Sequence, residues 1–359
     1  MRIALIHQDL FFQGGEYVVA KLANGLAARG HEVHVIVSKV HTDIARQNPE
    51  AKPFRLASDV RFHVLPFRRA LLNIVPLAAL LWKINPDVMM PNVGHYLQCF
   101  ILAKIIGRIR KPVVYVEHNF TGHTTSCFNR FCLNRCRKIV AVSEGVKFGL
   151  VAAGALSDKV VRIYNPILSG KIDAGEIHPW LAGEHPFTFV SAGALTGGKG
   201  FLNLIQAFSL VHEKMNTARL LIFGRGPQYS ELARRISECH LEEVVTLAGF
   251  TDCLRKNMAH ADGFAFASKK ETFSIVLVEA LAAGLPVVST DCPVGPREVL
   301  CDGALGQLVP VDDVNALAVA MLKVIRGEWK AAKAFDPSLY ENDAVIARYE
   351  KLLMEVVHP

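Results

Sequence analysis

The chain alternates between short apolar, β-branched runs and longer stretches whose apolar residues recur every three or four positions, and it does so in two successive series. The first series contains RIALIH (2–7), EVHVIVS (32–38), DVMM (87–90), VVYV (113–116), KIVAV (138–142) and VVRIY (160–164). Between the first two runs, Val18, Val19, Leu22, Ala23, Leu26 and Ala27 fall at helical intervals, and Gly30 ends the helix. Strands separated by helices pair in parallel, because only a crossover of a dozen or more residues returns the chain to the same end of a sheet. The stretch NPILSGKIDAGEIHPWLAGEHP (165–186) is rich in Gly, Pro and polar residues and reads as a boundary. The alternation then restarts with FTFVSAG (187–193), ARLLIFG (218–224), VVTLAG (244–249), DGFAFA (262–267) and LPVVST (285–290). The pattern predicts an α/β chain of two tandem Rossmann-like, doubly wound domains, 1–165 and 166–338. Residues 339–359 are helical with no strand left to pair, and are expected to cross back to the first domain. Ligands of open parallel sheets bind beyond the carboxyl ends of the strands, so two such domains are expected to face a shared cleft.

Charge is divided between the halves. Residues 1–165 hold 22 Lys/Arg against 10 Asp/Glu, a balance of +12, whereas 166–359 hold 18 against 23, a balance of −5. The first half therefore presents a basic surface suited to anions. Eighteen consecutive uncharged apolar residues occur nowhere, which argues against a spanning helix. The apolar part of MRIALIHQDLFFQGG is too short for a signal peptide and runs into a strand pattern. The eight cysteines follow no disulfide framework, which fits a reducing, cytoplasmic setting. Cys127, Cys132 and Cys136 lie near His123, but no second ligand pair completes a zinc template, and free thiols on a helix are the simpler reading. Aromatic or arginine-rich readers of nucleic acid are missing, and HQDLFFQGG does not supply the G-x-G-x-x-G of a dinucleotide oxidoreductase.

Chemistry concentrates in KKETFSIVLVEALAAG (269–284). Glu271 and Glu279 bracket seven mostly apolar residues. On a continuous helix they would stand about 80° and about 12 Å apart. A helix starting at Thr272 to Ser274 places Glu271 in the loop after strand DGFAFA and Glu279 inside a helix that is apolar nearly all round. Such a helix is expected to be buried, and a buried carboxylate needs a partner. Ribose hydroxyls would serve, with a diphosphate at the helix N-terminus. An equally good reading pairs Glu279 with a core Arg or Lys and leaves Glu271 solvated. Glycine turns follow strands in SAGALTGGKGF (191–201), which carries Lys199, in FGRGP (223–227), and in HQDLFFQGGE (7–16). Turns of this kind hold phosphate through backbone amides and one cation.

Taken together, these motifs resemble glycosyltransferase family 4, enzymes of GT-B fold. QGGEYVVAKLANGLAARGHEVHVI, IVAVSEGVKFGL and IYNP are similar to its first domain. GALTGGKGF, FGRGP, LAGF, KKETFSIVLVEALAAGLPVVSTD and GALGQLVPVDD are similar to its second, in order and spacing. DCPVGPREVL resembles members that build surface polysaccharides or lipid-linked glycans. The resemblance implies that Glu271 holds donor-sugar hydroxyls with help from the amides of Phe273, Ser274 and Ile275. By the same resemblance Glu279 holds the ribose, Lys199 neutralises the diphosphate, and Gly14 and Gly15 let backbone approach it. Gly224, Gly226 and Phe250 would lie near the nucleotide. His118 in YVEHNF would lie near the reacting sugar, with His123 as the alternate; a merely satisfied histidine at a strand end fits His118 as well.

One position departs from the pattern. The family's arginine before the lysine is replaced by Ala194, and Arg225, Lys269, Lys270 and Arg297 are candidate substitutes. Losing one donor at a developing anion costs about 2.7–4 kcal/mol. The implied reaction is retaining transfer of a hexosyl or N-acetylhexosaminyl unit from a nucleoside-diphosphate sugar, UDP-sugar favoured, to a glycan or polyprenyl-diphosphate-linked acceptor. Neither cofactor nor metal is expected, since D-x-D is missing and protein cations would stabilise the leaving group. PFRRALLNIVPLAALLWKI (66–84) and IIGRIRK (105–111) suggest peripheral contact with an anionic membrane, or else a helix whose Leu71, Leu72, Leu77, Leu80 and Leu81 pack on the sheet. A sugar-nucleotide 2-epimerase and a non-catalytic GT-B partner subunit are the alternative functions.

Overall fold

The computed structural model describes residues 1–7, 14–38, 56–67, 69–92, 94–118, 126–170 and 175–358. They form two compact units, Met1–Ile167 with Ser338–Pro359, and Leu168–Pro337. The predicted His123 and residues 8–13 of the glycine loop lie outside the described residues.

In the first unit, β1 (Arg2–His7), β2 (Glu32–Ser38), β3 (Arg61–Leu65) and β4 (Val88–Pro91) form a parallel sheet in the order β3-β2-β1-β4. A second parallel sheet, β5 (Val114–Glu117), β6 (Lys138–Ala141) and β7 (Val160–Arg162), is joined to β4 by a bridge between Met89 and Val113. Strand order therefore reverses between β1 and β4, which pair from Ile3 with Val88 onward. β1, β2 and β4 to β6 are buried almost throughout, which is why they read as continuous apolar runs. The edge strand β3 exposes Phe62 and Val64 and mixes them with Arg61 and His63, so it escaped the apolar-run criterion.

Helix α1 (Gly14–Ala28) buries all six predicted positions, Val18, Val19, Leu22, Ala23, Leu26 and Ala27, and the chain turns at Gly30 with φ +84°. The C-terminal helix Asn342–Val357 lies against α1, as expected for a segment with no strand of its own, and buries Val345, Ile346, Tyr349 and Leu353. A methyl group at Gly25 would strike Ile346 Cδ1, so glycine sets how closely the two helices approach. Glu350 fixes the register: its Oε2 accepts from Arg29 Nη1 at 3.0 Å and its Oε1 lies 2.8 Å from His31 Nε2.

The second unit holds β8 (Thr188–Ala192), β9 (Arg219–Phe223), β10 (Val245–Gly249), β11 (Gly263–Phe266), β12 (Val287–Thr290) and β13 (Gln307–Val309). All pair in parallel in the order β10-β9-β8-β11-β12-β13. The reversal falls between β8 and β11. Phe189, Leu204, Phe208, Leu220, Ile222 and Met321 anchor the core beneath it. β13 is three residues long and mostly half-buried, too short and too polar to register as an apolar run. No helix among the described residues is long and apolar enough to cross a membrane.

Candidate active site

Chain segments leaving β8 and β11 part at the switch point of the second sheet, and each delivers one charged side chain there. After β8 the backbone turns through Gly197–Lys199, and Gly200 takes the left-handed conformation (φ +67°) before the helix Phe201–His212. A Cβ at Gly200 would fall on the carbonyl oxygen of Ala267, so glycine alone lets the turn press on the β11 loop. Lys269 N donates to Gly198 O at 2.8 Å and completes the contact. Lys199 Nζ thereby reaches Glu271 Oε1 at 2.5 Å. The same oxygen accepts from the buried Ser268 hydroxyl at 2.8 Å. The Glu271 side chain is 8% exposed and that of Lys199 28%.

Glu271 is thus neither solvated nor unpaired. Glu279 differs from expectation in the opposite way: it sits inside the helix Ile275–Ala282 as predicted, but is half-buried rather than sealed. Leu277, Val278, Ala280 and Leu281 form the buried face, while Ile275, Val276 and Glu279 share the more open one. Total apolarity of the segment overstated its burial because its open face is itself largely apolar.

Ser274 caps that helix from a left-handed conformation (φ 76°, ψ 68°), uncommon for a residue with a Cβ. Its side chain makes no cap bond, and its Oγ is buried with no hydrogen-bond partner in the described structure. A buried hydroxyl without a partner costs roughly 1–3 kcal/mol. The strain and the orphaned hydroxyl coincide at a helix N-terminus, beside buried Phe273 and the Lys199–Glu271 pair. Gly295, φ +97°, packs over the Phe273 carbonyl, so the loop after β12 backs this turn. Cys292 in that loop is buried, and burial together with the Glu271 carboxylate pushes its thiol up to about 12.

Two predicted glycines have a packing role. A Cβ at Gly224 would fall on Gly193 O, and one at Gly226 would sit 2.5 Å from Leu195 O. Leu195 N donates to Arg225 O at 2.9 Å, and Gln228 N to Leu195 O at 3.0 Å. The Arg225 backbone therefore lies beside Ala194, the position where the family's arginine is lacking. Arg225 is exposed, with its guanidinium 5.9 Å from the ring centre of Phe250, itself 58% exposed beyond β10. Of the other candidate substitutes, Lys269 is held 2.5 Å from Asp312 and Arg297 is paired with Asp291. Lys270 is exposed.

In the first unit, Gly14 and Gly15 open α1, and a Cβ at Gly15 would meet nothing within 4 Å. Packing gives no reason for that glycine. His118 follows β5, with Nε2 3.4 Å from Asn92 Oδ1 beyond β4. Burial and neighbouring His7 push its pKa down to about 3, so it is neutral at physiological pH. Ser268, Cys292, Gly295 and Asn92 went unrecognised in the sequence, since single small or polar residues in loops carry no periodic signal. No group of three His, Cys, Asp or Glu able to hold a metal occurs among the described residues.

Residues 186–327 match the family model described as Glycosyl transferases group 1, and residues 12–168 match the one described as Glycosyltransferase Family 4. The N-acetylgalactosamine-N,N'-diacetylbacillosaminyl-diphospho-undecaprenol 4-alpha-N-acetylgalactosaminyltransferase of Campylobacter jejuni is 30% identical over 92% of this chain and 95% of that protein. The N-acetyl-alpha-D-glucosaminyl L-malate synthase of Bacillus anthracis is 24% identical over 96% and 94%. Among solved structures, Anabaena HepE with UDP and glucose aligns at TM-score 0.76 and 20% identity, covering 98% of this chain and 99% of that one. The sucrose-phosphate synthase of Thermosynechococcus elongatus aligns at 0.79 and 18%, covering 99% of each.

Proposed function

The chain belongs to glycosyltransferase family 4, with the GT-B fold, and from that membership we propose that it transfers an N-acetylhexosaminyl or hexosyl unit from a UDP-sugar to a glycan or polyprenyl-diphosphate-linked acceptor. The observation that carries this reading is the Lys199–Glu271 pair beside the uncapped helix at Ser274. A donor diphosphate at that N-terminus would meet free N–H groups, the Ser274 hydroxyl and, on displacing the pair, the Lys199 ammonium. Negative charge grows on the diphosphate as the glycosidic bond breaks, and donors already in position stabilise it without reorganisation. Glu271, released from Lys199, accepts from donor-sugar hydroxyls, with the amides of Phe273, Ser274 and Ile275 beside it. Glu279, on the open face of the helix, takes the ribose. Arg225 supplies the cation that Ala194 cannot, with Gly224, Gly226 and Phe250 shaping the base end. Gly14 and Gly15 admit the diphosphate to the first unit, and neutral His118 hydrogen-bonds the reacting sugar. The departing phosphate oxygen takes the acceptor's proton on the same face, so configuration is retained.

The C. jejuni relative's name specifies an undecaprenyl-diphosphate acceptor, which supports the lipid-linked reading. The segment 69–84 supports work at a membrane face: in the helix Ile74–Ile84 Leu77 and Leu81 are buried, but Val75 and Trp82, with Leu71 and Leu72 in the turn before it, are 55–68% exposed, and Arg69 and Lys83 are exposed beside them. Thermal-shift screening of UDP-, GDP- and ADP-sugars should rank a UDP-sugar first. Transfer from that donor to an undecaprenyl-diphosphate glycan should give an α-linked product and fail in Glu271→Ala. Undiminished transfer by Glu271→Ala, or no shift with any nucleotide sugar, refutes the reading.

A further inference from the structure

The amino ends of β4 and of the three strands β5 to β7 surround a cavity of about 490 Å³, at the opposite end of the strands from Asn92 and His118. Asp87 stands before β4, Lys111 to Val113 before β5, Cys136 and Arg137 before β6, and Lys159 before β7; Lys104, Arg110 and Arg135 complete the charged wall. Six cations thus face one carboxylate. Asp87 is already engaged, accepting from Arg2 N at 2.8 Å and lying 3.7 Å from Lys111. Lys159 Nζ donates a hydrogen bond to Asn134 O at 2.6 Å and Arg135 lies over Phe131 at 4.5 Å. Lys104, Arg110 and Arg137 have no acidic partner among the described residues.

A plain structural account would assign these cations to the helix C-termini. The helices Gly94–Ile106, Cys127–Arg135 and Asn342–Val357 do end here, and each offers about half a negative charge. Together with Asp87 they offset about 2.5 of the six charges, leaving about 3.5 uncompensated. Lys104 registers the excess: burial and neighbouring Arg135 hold its pKa below the usual lysine value. A cluster of like charges around a concave space is stabilised by an anion occupying it.

We propose that this cavity binds a phosphate or diphosphate group, held by Arg110, Arg137 and Lys104. Guanidinium forks match phosphate oxygens in pairs. Among the described residues no aromatic ring lines the cavity, so none of them would stack a nucleobase. The phosphate has two chemical sources. Ile105 and Ile106 are exposed next to Lys104, and exposed Trp82 donates to Gly107 O at 2.6 Å, an apolar rim fit for the acyl chains of an anionic lipid. A soluble diphosphate would use the cations alone.

The test uses the full chain carrying Lys199→Ala, so that the donor site contributes little, and compares it with the same chain also carrying Arg110→Glu and Arg137→Glu. Calorimetric titration with inorganic pyrophosphate and flotation with phosphatidylglycerol vesicles are the two arms. The reversal should weaken pyrophosphate binding at least about tenfold, the value of one lost charge-assisted hydrogen bond. A loss in the pyrophosphate arm alone identifies a soluble ligand; a loss of vesicle binding identifies a lipid headgroup. Arg110→Gln with Arg137→Gln guards against misfolding and should show the same direction. Equal binding by parent and both double variants in both arms, including no binding by any, overturns the proposal and leaves the cations as helix caps.

Discussion

Removing either partner of the Lys199–Glu271 pair should cost different amounts of stability, and the order of the two costs is fixed by burial. Lys199→Ala leaves a carboxylate that is only 8% exposed without its cation, keeping just the Ser268 hydroxyl on Oε1. Breaking a fully buried pair costs about 3–5 kcal/mol; discounting for the 28% exposure of Lys199 brings this to about 2–3 kcal/mol. Glu271→Gln leaves an ammonium on a flexible stem that swings toward water, and Gln keeps an oxygen for Ser268, so about 1 kcal/mol is expected. Combining the two removes both charges, and the double variant should be at least as stable as Lys199→Ala alone. For a unit of roughly 170 residues these costs correspond to a lowering of Tm by about 4–12 °C for Lys199→Ala and about 2–4 °C for Glu271→Gln. Differential scanning fluorimetry on the four proteins closes the double-mutant cycle. A Lys199→Ala protein no less stable than Glu271→Gln, or a double variant whose loss equals the sum of the singles, refutes the burial argument. Transfer activity is a separate readout: under the proposed roles, in which the pair would divide between diphosphate and sugar on donor binding, both single variants should lose most of it.

Gly226→Ala should lower Tm by several degrees, since its Cβ falls 2.5 Å from Leu195 O, whereas Gly15→Ala should leave Tm unchanged and raise the donor KM; scanning fluorimetry and steady-state kinetics separate the two. The His118 imidazole should not titrate between pH 5 and 8 by NMR. Its folded pKa lies below the ordinary 6.5, so its contribution to stability is present above about 6.5 and is lost as pH falls toward about 3. Glu350 is held below the usual carboxylate range, first by the His31 imidazole and then by Arg29. The Tm gap between wild type and Glu350→Gln should be full above pH about 4.3 and close as pH falls below it. Trp82→Asp should abolish flotation with anionic vesicles at low salt while leaving Tm within a degree or two, because the ring is largely exposed; retained flotation removes helix Ile74–Ile84 from the membrane account.

Alternation of period 2 and period 3.6 is a local property, and it located twelve of the elements that matter: the strands β1, β2, β4 to β12 and the helix α1. The two missed strands, β3 and β13, lie at sheet edges, where burial is incomplete and the apolar run that marks a buried strand is broken. The candidate site was legible where residue chemistry repeats a spacing. Glu271 in the loop, Glu279 in the helix and Lys199 after a glycine turn all stand where the pattern put them. What the pattern could not give was their state: the loop glutamate is paired with Lys199 and its side chain is only 8% exposed, and the glutamate inside the apolar run is half-buried rather than sealed.

The sequence by itself determined the succession of most strands and helices, the glycine turns and the positions of the charged groups, because each follows from backbone preferences or side-chain alternation within a dozen residues. Tertiary structure alone decided who meets whom. Lys199 and Glu271 are 72 residues apart, and Arg29 and Glu350 are 321 apart. Their contacts exist because parallel strand pairing places β8 beside β11, and because the last helix packs on α1 where Gly25 makes room. Burial, and with it the strength of every charge in the site, is set by neighbours distant in the chain, which no local window contains.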